Sequence, residues 1–151
     1  RAIVRTSVNQ VAVAADRIIA AENPDATAKY RYTATLDSRT SPICRALDGK
    51  VFKHGQGPYP PQHFNCRSRY INIPIGLEKE FEQAREDYGE WLEGQSQTEK
   101  RKVLGPSRLA MWDRLVDKYG PSDAIRKFVA KDGTELTLDQ LRDRGYGTSA
   151  S

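Results

Sequence analysis

The residues best suited to chemistry in this sequence are four thiol and imidazole side chains that lie close together in the chain. Every cysteine and histidine falls between positions 44 and 66: Cys44, His54, His63 and Cys66. Thiolate and imidazole are ligands of tetrahedral zinc sites, and the two-residue separation of His63 and Cys66 is a common ligand spacing. The sequence therefore predicts these four residues as a candidate zinc site.

Besides binding zinc, the cysteines fit three further roles. They could be two buried small apolar residues, one disulfide, or a catalytic cysteine with a histidine base. Cys44 has no CxxC partner, because Ser41 occupies that position. The sequence next to Cys44 contains no recognisable nucleophile turn or glycine-rich oxyanion loop. We therefore expect no catalytic residue and no enzymatic activity.

Charge is distributed unevenly along the chain. Residues 1–75 carry 11 basic and 5 acidic side chains, whereas residues 76–151 carry 13 and 15. Clustered cations favour an anionic partner such as nucleic acid or an acidic protein surface, and a solvated basic face is the alternative. The candidates for contacting an anion are Lys29, Arg31, Arg45, Lys50, Lys53 and Arg69.

The first 24 residues have the pattern of an amphipathic helix that ends before Pro24. Such a stripe fits a helix packed on its own domain or a seam against a second chain. Because the sequence begins inside this pattern, we expect the helix to be the end of a longer region. Its apolar residues recur at intervals of three and four: Val4, Val8, Val11, Ala15, Ile18 and Ile19.

A central module over residues 25–76 is predicted to contain a small sheet. Residues 29–36 alternate as a strand, with Tyr30, Tyr32 and Ala34 on one face. Residues 69–75 form a second predicted strand, whose isoleucines 71, 73 and 75 should face a core. A short helix over 42–47 and a proline-rich loop containing the histidines and Cys66 are expected between these strands.

Residues 77–145 are predicted to be helical, with one hairpin. Helices are expected over 77–92, from Pro106 to Tyr119 and over 138–144, with the hairpin turning at Asp132 and Gly133. Residues 146–151 are predicted to be a disordered tail. The predicted fold is α+β: a small antiparallel sheet with a central His/Cys loop, a long N-terminal helix and a helical C-terminal part with a hairpin. The chain lacks the roughly 18-residue apolar run of a membrane helix, so we expect no membrane partner.

The central module contains the stretches TLDSRTSPICRALDGKVF and PPQHFNCRSRYINIP, and the later part of the chain contains Val103, Leu104, Gly105 and Arg108. In these residues the chain resembles the phage Mu F-like minor head protein family, also called the phage head morphogenesis domain. Many relatives carry cysteine where Ser41 and Ser68 stand. The resemblance implies a set of fold-defining residues, with the two aspartates paired to Arg39, Arg45 or Arg67: Asp37, Arg39, Cys44, Asp48, Gly49, His63, Asn65, Cys66 and Arg67.

The resemblance implies a minor capsid protein of a tailed bacteriophage that acts in head morphogenesis at or near the portal. Its expected partners are the portal protein, the major capsid protein and packaged DNA, with self-association through the N-terminal helix. Its expected location is the virion, and the host cytoplasm during assembly. Two alternatives are a zinc-dependent nucleic-acid-binding module, which would show salt-sensitive DNA binding, and an enzymatic phage effector.

Overall fold

The computed structural model describes residues 27–83 and 85–147, together with eight single positions before residue 24. Most of the predicted N-terminal helix therefore lies outside the described residues. The chain forms two compact units that interleave along the sequence, whereas the predicted divisions at residues 24, 76 and 145 are sequential. The first unit comprises Arg1–Thr35 and Leu47–Glu86, and the second comprises Leu36–Ala46 and Asp87–Ser151.

The first unit contains a three-stranded antiparallel sheet in the order β2-β1-β3, so the α+β prediction with a small antiparallel sheet is confirmed. The strands are β1 (Thr27–Thr33), β2 (Val51–Lys53) and β3 (Arg69–Pro74). In the central strand, Tyr30 pairs with Phe52 on one side and Asn72 on the other. Strand β2 was not predicted, because three residues are too few to show a period.

Strand β1 has the predicted faces. Tyr30 and Tyr32 are fully buried and Ala34 is nearly so. Large aromatic side chains at every second position place their surface on one side of a pleated strand, where they can pack together. The alternation in the sequence therefore predicted the tyrosine face correctly, but Arg31 on the opposite face is buried as well, at 4% exposed.

The prediction that the three isoleucines near β3 face a core is wrong for two of them. Ile73 is 1% exposed, but Ile71 is 44% exposed and Ile75 is 54% exposed. Tyr70 lies opposite Tyr32 in the register and is buried instead. The tyrosine has more apolar surface to bury, and Ile75 lies beyond the last residue of β3 that pairs with β1.

The predicted helix over residues 77–92 is two helices, α2 (Glu78–Gln83) and α3 (Tyr88–Glu93). Asp87 begins the second of them as its N-cap: its side chain accepts a hydrogen bond from the Glu90 N–H, and the Glu90 side chain accepts one from the Asp87 N–H. This reciprocal capping box satisfies two N–H groups that a helix start leaves without partners, so it favours a new helix at residue 88.

The second unit is helical and holds the larger core. The short helix α1 (Pro42–Leu47), all but Leu47 in this unit, confirms the predicted helix over 42–47. Four more helices follow in this unit: α3, α4 (Gln97–Tyr119), α5 (Pro121–Arg126) and α6 (Leu138–Asp143). Its buried apolar side chains form one cluster: Tyr88, Leu92, Val103, Leu104, Met111, Trp112, Leu115, Ala124, Ile125, Phe128, Leu136 and Leu141.

Helix α4 begins earlier than predicted and is bent where the prediction placed its start. Gly105 has φ 72° and ψ 165°, a conformation open to glycine, and Pro106 begins the second helical segment. The residues before Gly105 are also helical, with Ser96 as the N-cap. Pro121 ends this helix as predicted, but it also begins α5, which was not predicted.

The predicted hairpin is reduced to one antiparallel bridge between Val129 and Glu135. The turn is closed at Asp132 and Gly133, as the sequence indicates. Helix α6 has the predicted capping box of Thr137 and Gln140. Tyr146 belongs to the predicted disordered tail, yet its N–H donates to the Leu141 carbonyl, and residues 148–151 lie outside the described part.

Candidate functional site

An aromatic cluster in the first unit holds the proline-rich loop against the sheet. Tyr30 stacks on Tyr59 with ring centroids 4.5 Å apart, and both rings meet Tyr70 edge to face at 5.3 Å. Burial, with the neighbouring Tyr59, raises the pKa of Tyr30. Its hydroxyl therefore stays protonated and donates to the Pro58 carbonyl at 2.9 Å. Both ring stacking and this hydrogen bond fix the loop on β1.

His54, one of the predicted zinc ligands, belongs to this cluster. Its Nε2 lies 2.8 Å from the Asn72 Oδ1, and its Nδ1 lies 2.9 Å from the Tyr59 hydroxyl. The hydroxyl oxygen of Tyr59 also accepts the Gly55 N–H at 3.0 Å. The neutral imidazole fits this arrangement, with Nε2–H donating to Asn72 and Nδ1 accepting from Tyr59. Binding a metal through His54 would break one of these two hydrogen bonds.

His63 and Cys66 lie together in the loop that precedes β3. The Cys66 N–H donates to the His63 carbonyl at 3.3 Å, and Asn65 between them has a positive φ of 59°, which asparagine tolerates better than most residues. The His63 Nδ1 donates to the Phe64 carbonyl at 2.7 Å. That bond assigns the proton to Nδ1 and makes Nε2 the nitrogen with a lone pair for a metal.

Cys44 lies in α1 of the second unit and is 2% exposed. Its N–H is near the Ser41 Oγ at 3.4 Å, so Ser41 acts as a cap at the start of the helix. Cys44 and Cys66 are both buried. A zinc site formed by Cys44, His54, His63 and Cys66 stays a prediction.

Asp48 makes a buried hydrogen bond and an ion pair within the first unit. Its Oδ1 accepts the Ala34 N–H at 2.6 Å and lies 3.2 Å from the Arg85 Nη1. Arg85 also donates through Nη2 to the Ala34 carbonyl at 2.7 Å. Burial raises the pKa of Asp48, while the Ala34 N–H and Arg85 act in the opposite direction. The pair clamps the backbone just after β1, and Gly49, with φ 80°, turns the chain behind it.

Arg31 is part of the same interior. It is 4% exposed, and its guanidinium donates to the carbonyls of Phe81 and Arg85 at 3.1 and 2.8 Å. These bonds attach α2 and the residues that follow it to the central strand. Arg31 therefore lies inside the unit, away from the surface where the sequence predicted a contact with an anion.

In the second unit, Asp37 and Arg45 fix the segment before α1. The Asp37 Oδ1 accepts the Arg39 N–H at 2.9 Å and the Thr40 hydroxyl at 3.2 Å, which closes an Asx turn. Arg45 donates to the carbonyls of Thr40 and Val103 at 2.6 and 3.0 Å. Burial lowers the pKa of Arg45 from its ordinary value. Like Arg31, Arg45 serves the backbone of its own unit.

The remaining basic candidates lie nearer the surface of the first unit. Lys53 and Arg69 are exposed, and Lys29 and Lys50 are half-buried. Lys29 is directly opposite Lys53 in the register of β1 and β2. Like charges at opposite positions of two strands repel each other, and an anion between them would relieve that repulsion.

The structure reveals functional contacts that the sequence did not indicate. Arg85 is the partner of Asp48, although the sequence suggested Arg39, Arg45 or Arg67. Tyr88 donates to the Asp37 carbonyl at 2.6 Å and so supports the Asx turn from α3. Neither contact has a signal in the sequence, since each joins residues that are far apart in the chain. Arg67 contributes its carbonyl, which lies 3.5 Å from the Thr35 hydroxyl.

Comparison with known proteins gives one match. Residues 1–71 match the family model described as phage Mu protein F like protein. No curated protein and no solved structure matches the chain. Within the described part of the chain, no helix is both long enough and apolar enough to cross a membrane.

Proposed function

We propose that the protein is a minor head protein of a tailed bacteriophage, because residues 1–71 match the phage Mu F-like family model. The family match supports a role in phage head morphogenesis, with the virion as its location. The finer proposal is a structural role without catalysis, at or near the portal. It includes contact with the portal or the major capsid protein, and with packaged DNA.

The family match is the observation that carries this proposal, and the arrangement of the motif residues supports it. Asp37, Asp48 and Arg45 use their side chains to hold the backbone of their own unit. A group engaged in this way maintains shape, which is the requirement of an assembly protein. The residues for recognising a partner are then expected among the exposed side chains.

Exposed apolar residues near the N-terminus support a docking role for that segment. Val11 and Ile18 lie one heptad apart in the predicted apolar stripe and are 70% and 60% exposed. The segment contacts its own unit through Arg17, whose guanidinium carbon lies 4.3 Å from the centroid of the Tyr59 ring. Val11 and Ile18 are not buried by that contact, so they are available for the seam against a second chain. We propose the portal protein as that second chain, and a sister copy of this protein as the alternative.

DNA contact is proposed through the cations at or near the surface of the first unit. The facing pair of Lys29 and Lys53, with Lys50 and Arg69, offers positive charge to a phosphate backbone. Phosphate contacts of this kind are independent of sequence and weaken as salt rises.

Co-expression of the full-length protein with the portal and major capsid proteins of its own phage tests the main proposal. The expected result is co-sedimentation with assembled particles at a few copies per particle, measured by quantitative mass spectrometry. The double variant Val11→Glu/Ile18→Glu should remain folded and be lost from the particles. Ser7→Glu/Gln10→Glu is the matched control, since both positions are exposed and the added charge is the same.

Absence of the unmodified protein from particles overturns the minor head protein proposal. Equal incorporation of both double variants overturns the N-terminal segment as the docking surface. Particles that form with the protein but without portal would indicate the major capsid protein as the partner.

Zinc binding is the second candidate function, and one observation favours it. The His63 Nε2 is the nitrogen with a lone pair, and the same loop carries the buried Cys66 thiol. If zinc binds, the purified full chain should contain one zinc per molecule by atomic emission. A chain purified with added zinc that holds none contradicts this candidate.

A further inference from the structure

A basic cavity lies in the second unit where two helices end. It has a volume of about 280 Å³, and its walls come from the last turns of α4 and from the residues that follow α6. Arg114 and Lys118 belong to α4, and Arg144 and Tyr146 follow the last turn of α6. None of these residues lies within the matched segment 1–71 or among the candidates that the sequence offers for contacting an anion.

The cavity concentrates positive charge that the rest of the unit does not neutralise. Arg114, Lys118 and Arg144 line it, and its lining contains no aspartate or glutamate. Among the described residues, none of these three forms an ion pair. Other arginines of the same unit do: Arg126 pairs with Asp123 at 3.2 Å, for example. The second unit as a whole carries 13 basic and 12 acidic side chains, so its charges nearly balance, whereas the charged residues that line the cavity are all basic.

The helix ends account for only part of this charge. Each helix C-terminus carries roughly half a negative charge, so two of them offset about one of the three cations. Helix α6 is short and its dipole is correspondingly weak. At least two positive charges therefore remain for a ligand.

Two tyrosines line the cavity, and one of them contacts Lys118. The Tyr119 and Tyr146 rings meet edge to face with centroids 6.3 Å apart. The Nζ atoms of Lys118 and Lys127 lie 5.2 and 4.6 Å from the centroid of Tyr119. A cation–π contact positions an ammonium without removing its charge. The backbone of Tyr146 is held in place by its N–H, which donates to the Leu141 carbonyl at 2.9 Å.

We propose that this cavity binds a backbone phosphate of DNA. Two guanidinium groups and one ammonium line a single hollow, and arginine can hold a phosphate through two parallel hydrogen bonds. A contact with a backbone phosphate carries no information on the base sequence, so we expect binding that is independent of sequence. This site is separate from the cations of the first unit. The proposal of phosphate binding here does not depend on the proposed role in head assembly.

Binding of a short DNA duplex to the full chain tests this site. The affinity is measured by fluorescence anisotropy over a series of salt concentrations. Each neutralised phosphate contributes about 0.9 to the slope of log K against log salt, so losing the one phosphate held in the cavity should lower the slope by roughly 0.9. The test variant is Arg114→Ala/Lys118→Ala/Arg144→Ala, with far-UV circular dichroism to confirm folding.

A matched triple variant controls for net charge. Arg101→Ala/Lys102→Ala/Lys131→Ala removes the same charge from exposed positions of the second unit outside the cavity. It should leave the slope within experimental error of the unmodified chain. Lys118→Gln/Arg144→Gln is a milder variant for use if the triple variant unfolds, and it should lower the slope by at most about 0.9.

Three results would overturn the proposal. The first is an equal change of slope in the cavity and control variants. The second is full DNA affinity in the folded cavity variant. The third is displacement of the duplex by inorganic phosphate at the same phosphate concentration, which would show a small-anion site. Incorporation of the cavity variant into particles is a separate measurement, so failure here and failure of the head protein proposal are distinguishable.

Discussion

Removing Arg85 should destabilise the first unit more than removing Asp48, although the two side chains form one ion pair. The carboxylate side chain is fully buried, whereas the guanidinium side chain is 29% exposed. Arg85→Ala leaves a buried carboxylate without its cation, a loss of about 3–5 kcal/mol in the free energy of unfolding. Asp48→Ala leaves a guanidinium that water reaches and one unpaired N–H of Ala34, a loss of about 1–3 kcal/mol.

The loss caused by Arg85→Ala should depend on pH. Burial already raises the pKa of Asp48 above its ordinary 3.8, and Arg85 opposes that rise. Without Arg85 the pKa of Asp48 in the folded chain rises further. At pH values between the pKa of Asp48 in the unfolded chain and its higher pKa in the folded chain, the folded chain holds a proton that the unfolded chain lacks. The free energy of unfolding therefore falls as pH increases through this range. The variant should therefore lose less stability near pH 4 than near pH 7.

Urea unfolding followed by circular dichroism at both pH values measures these losses, and exchange of the Ala34 amide reports the site itself. Arg69→Ala is the matched control, because this exposed arginine of the same unit should change stability by less than about 0.5 kcal/mol. The double variant Asp48→Ala/Arg85→Ala should lose less than the two single losses added together. Equal losses in the single variants, or a loss from Arg85→Ala that does not vary with pH, would refute the reasoning.

Two further substitutions test packing in each unit. Gly89→Ala would place a methyl group against the backbone at the start of α5 and should lower the melting temperature by several degrees. Gly94→Ala is the control and should not lower it, because Gly94 has a helical φ and an added methyl group would make only ordinary contacts there. Equal melting temperatures of the two variants would contradict the close approach of Gly89 to α5. Cys66→Ser introduces a hydroxyl at a 4% exposed position and should destabilise the first unit by about 1–3 kcal/mol, measured by urea unfolding; an unchanged midpoint would argue against a structural role for Cys66.

Local patterns in the sequence were sufficient to predict an element of the fold where one interaction between nearby residues determines it. The alternation of Tyr30, Tyr32 and Ala34 predicted the tyrosine face of β1, because side chains at every second position of a strand lie on the same face. The capping box at Thr137 predicted α6 for a similar reason, since both of its hydrogen bonds lie within four residues. The same signal at Asp87 and Glu90 would have divided the helix predicted over 77–92.

The sequence was insufficient to predict burial and ion pairs that depend on residues far apart in the chain. Ile71 and Tyr70 are adjacent, and only the pairing of β3 with β1 determines which of them is buried. Asp48 had three arginines nearby in the chain, yet its partner is 37 residues away. The basic cavity has no signal in the sequence, because the charge of residues 76–151 is negative in sum and the sum hides three cations that the fold brings together.

Substitutions of buried and of exposed residues in the first unit should cause two different defects in head assembly, one through folding and one through docking. Asp48 and Arg85 act inside the first unit, so substituting them should change incorporation into particles only as far as it changes folding. Val11 and Ile18 are exposed, so substituting them should change incorporation while the melting transition stays the same. If incorporation followed stability in both groups, the N-terminal segment would have no docking function of its own. If the two measurements separate, the buried clamp and the docking surface are different parts of the same unit.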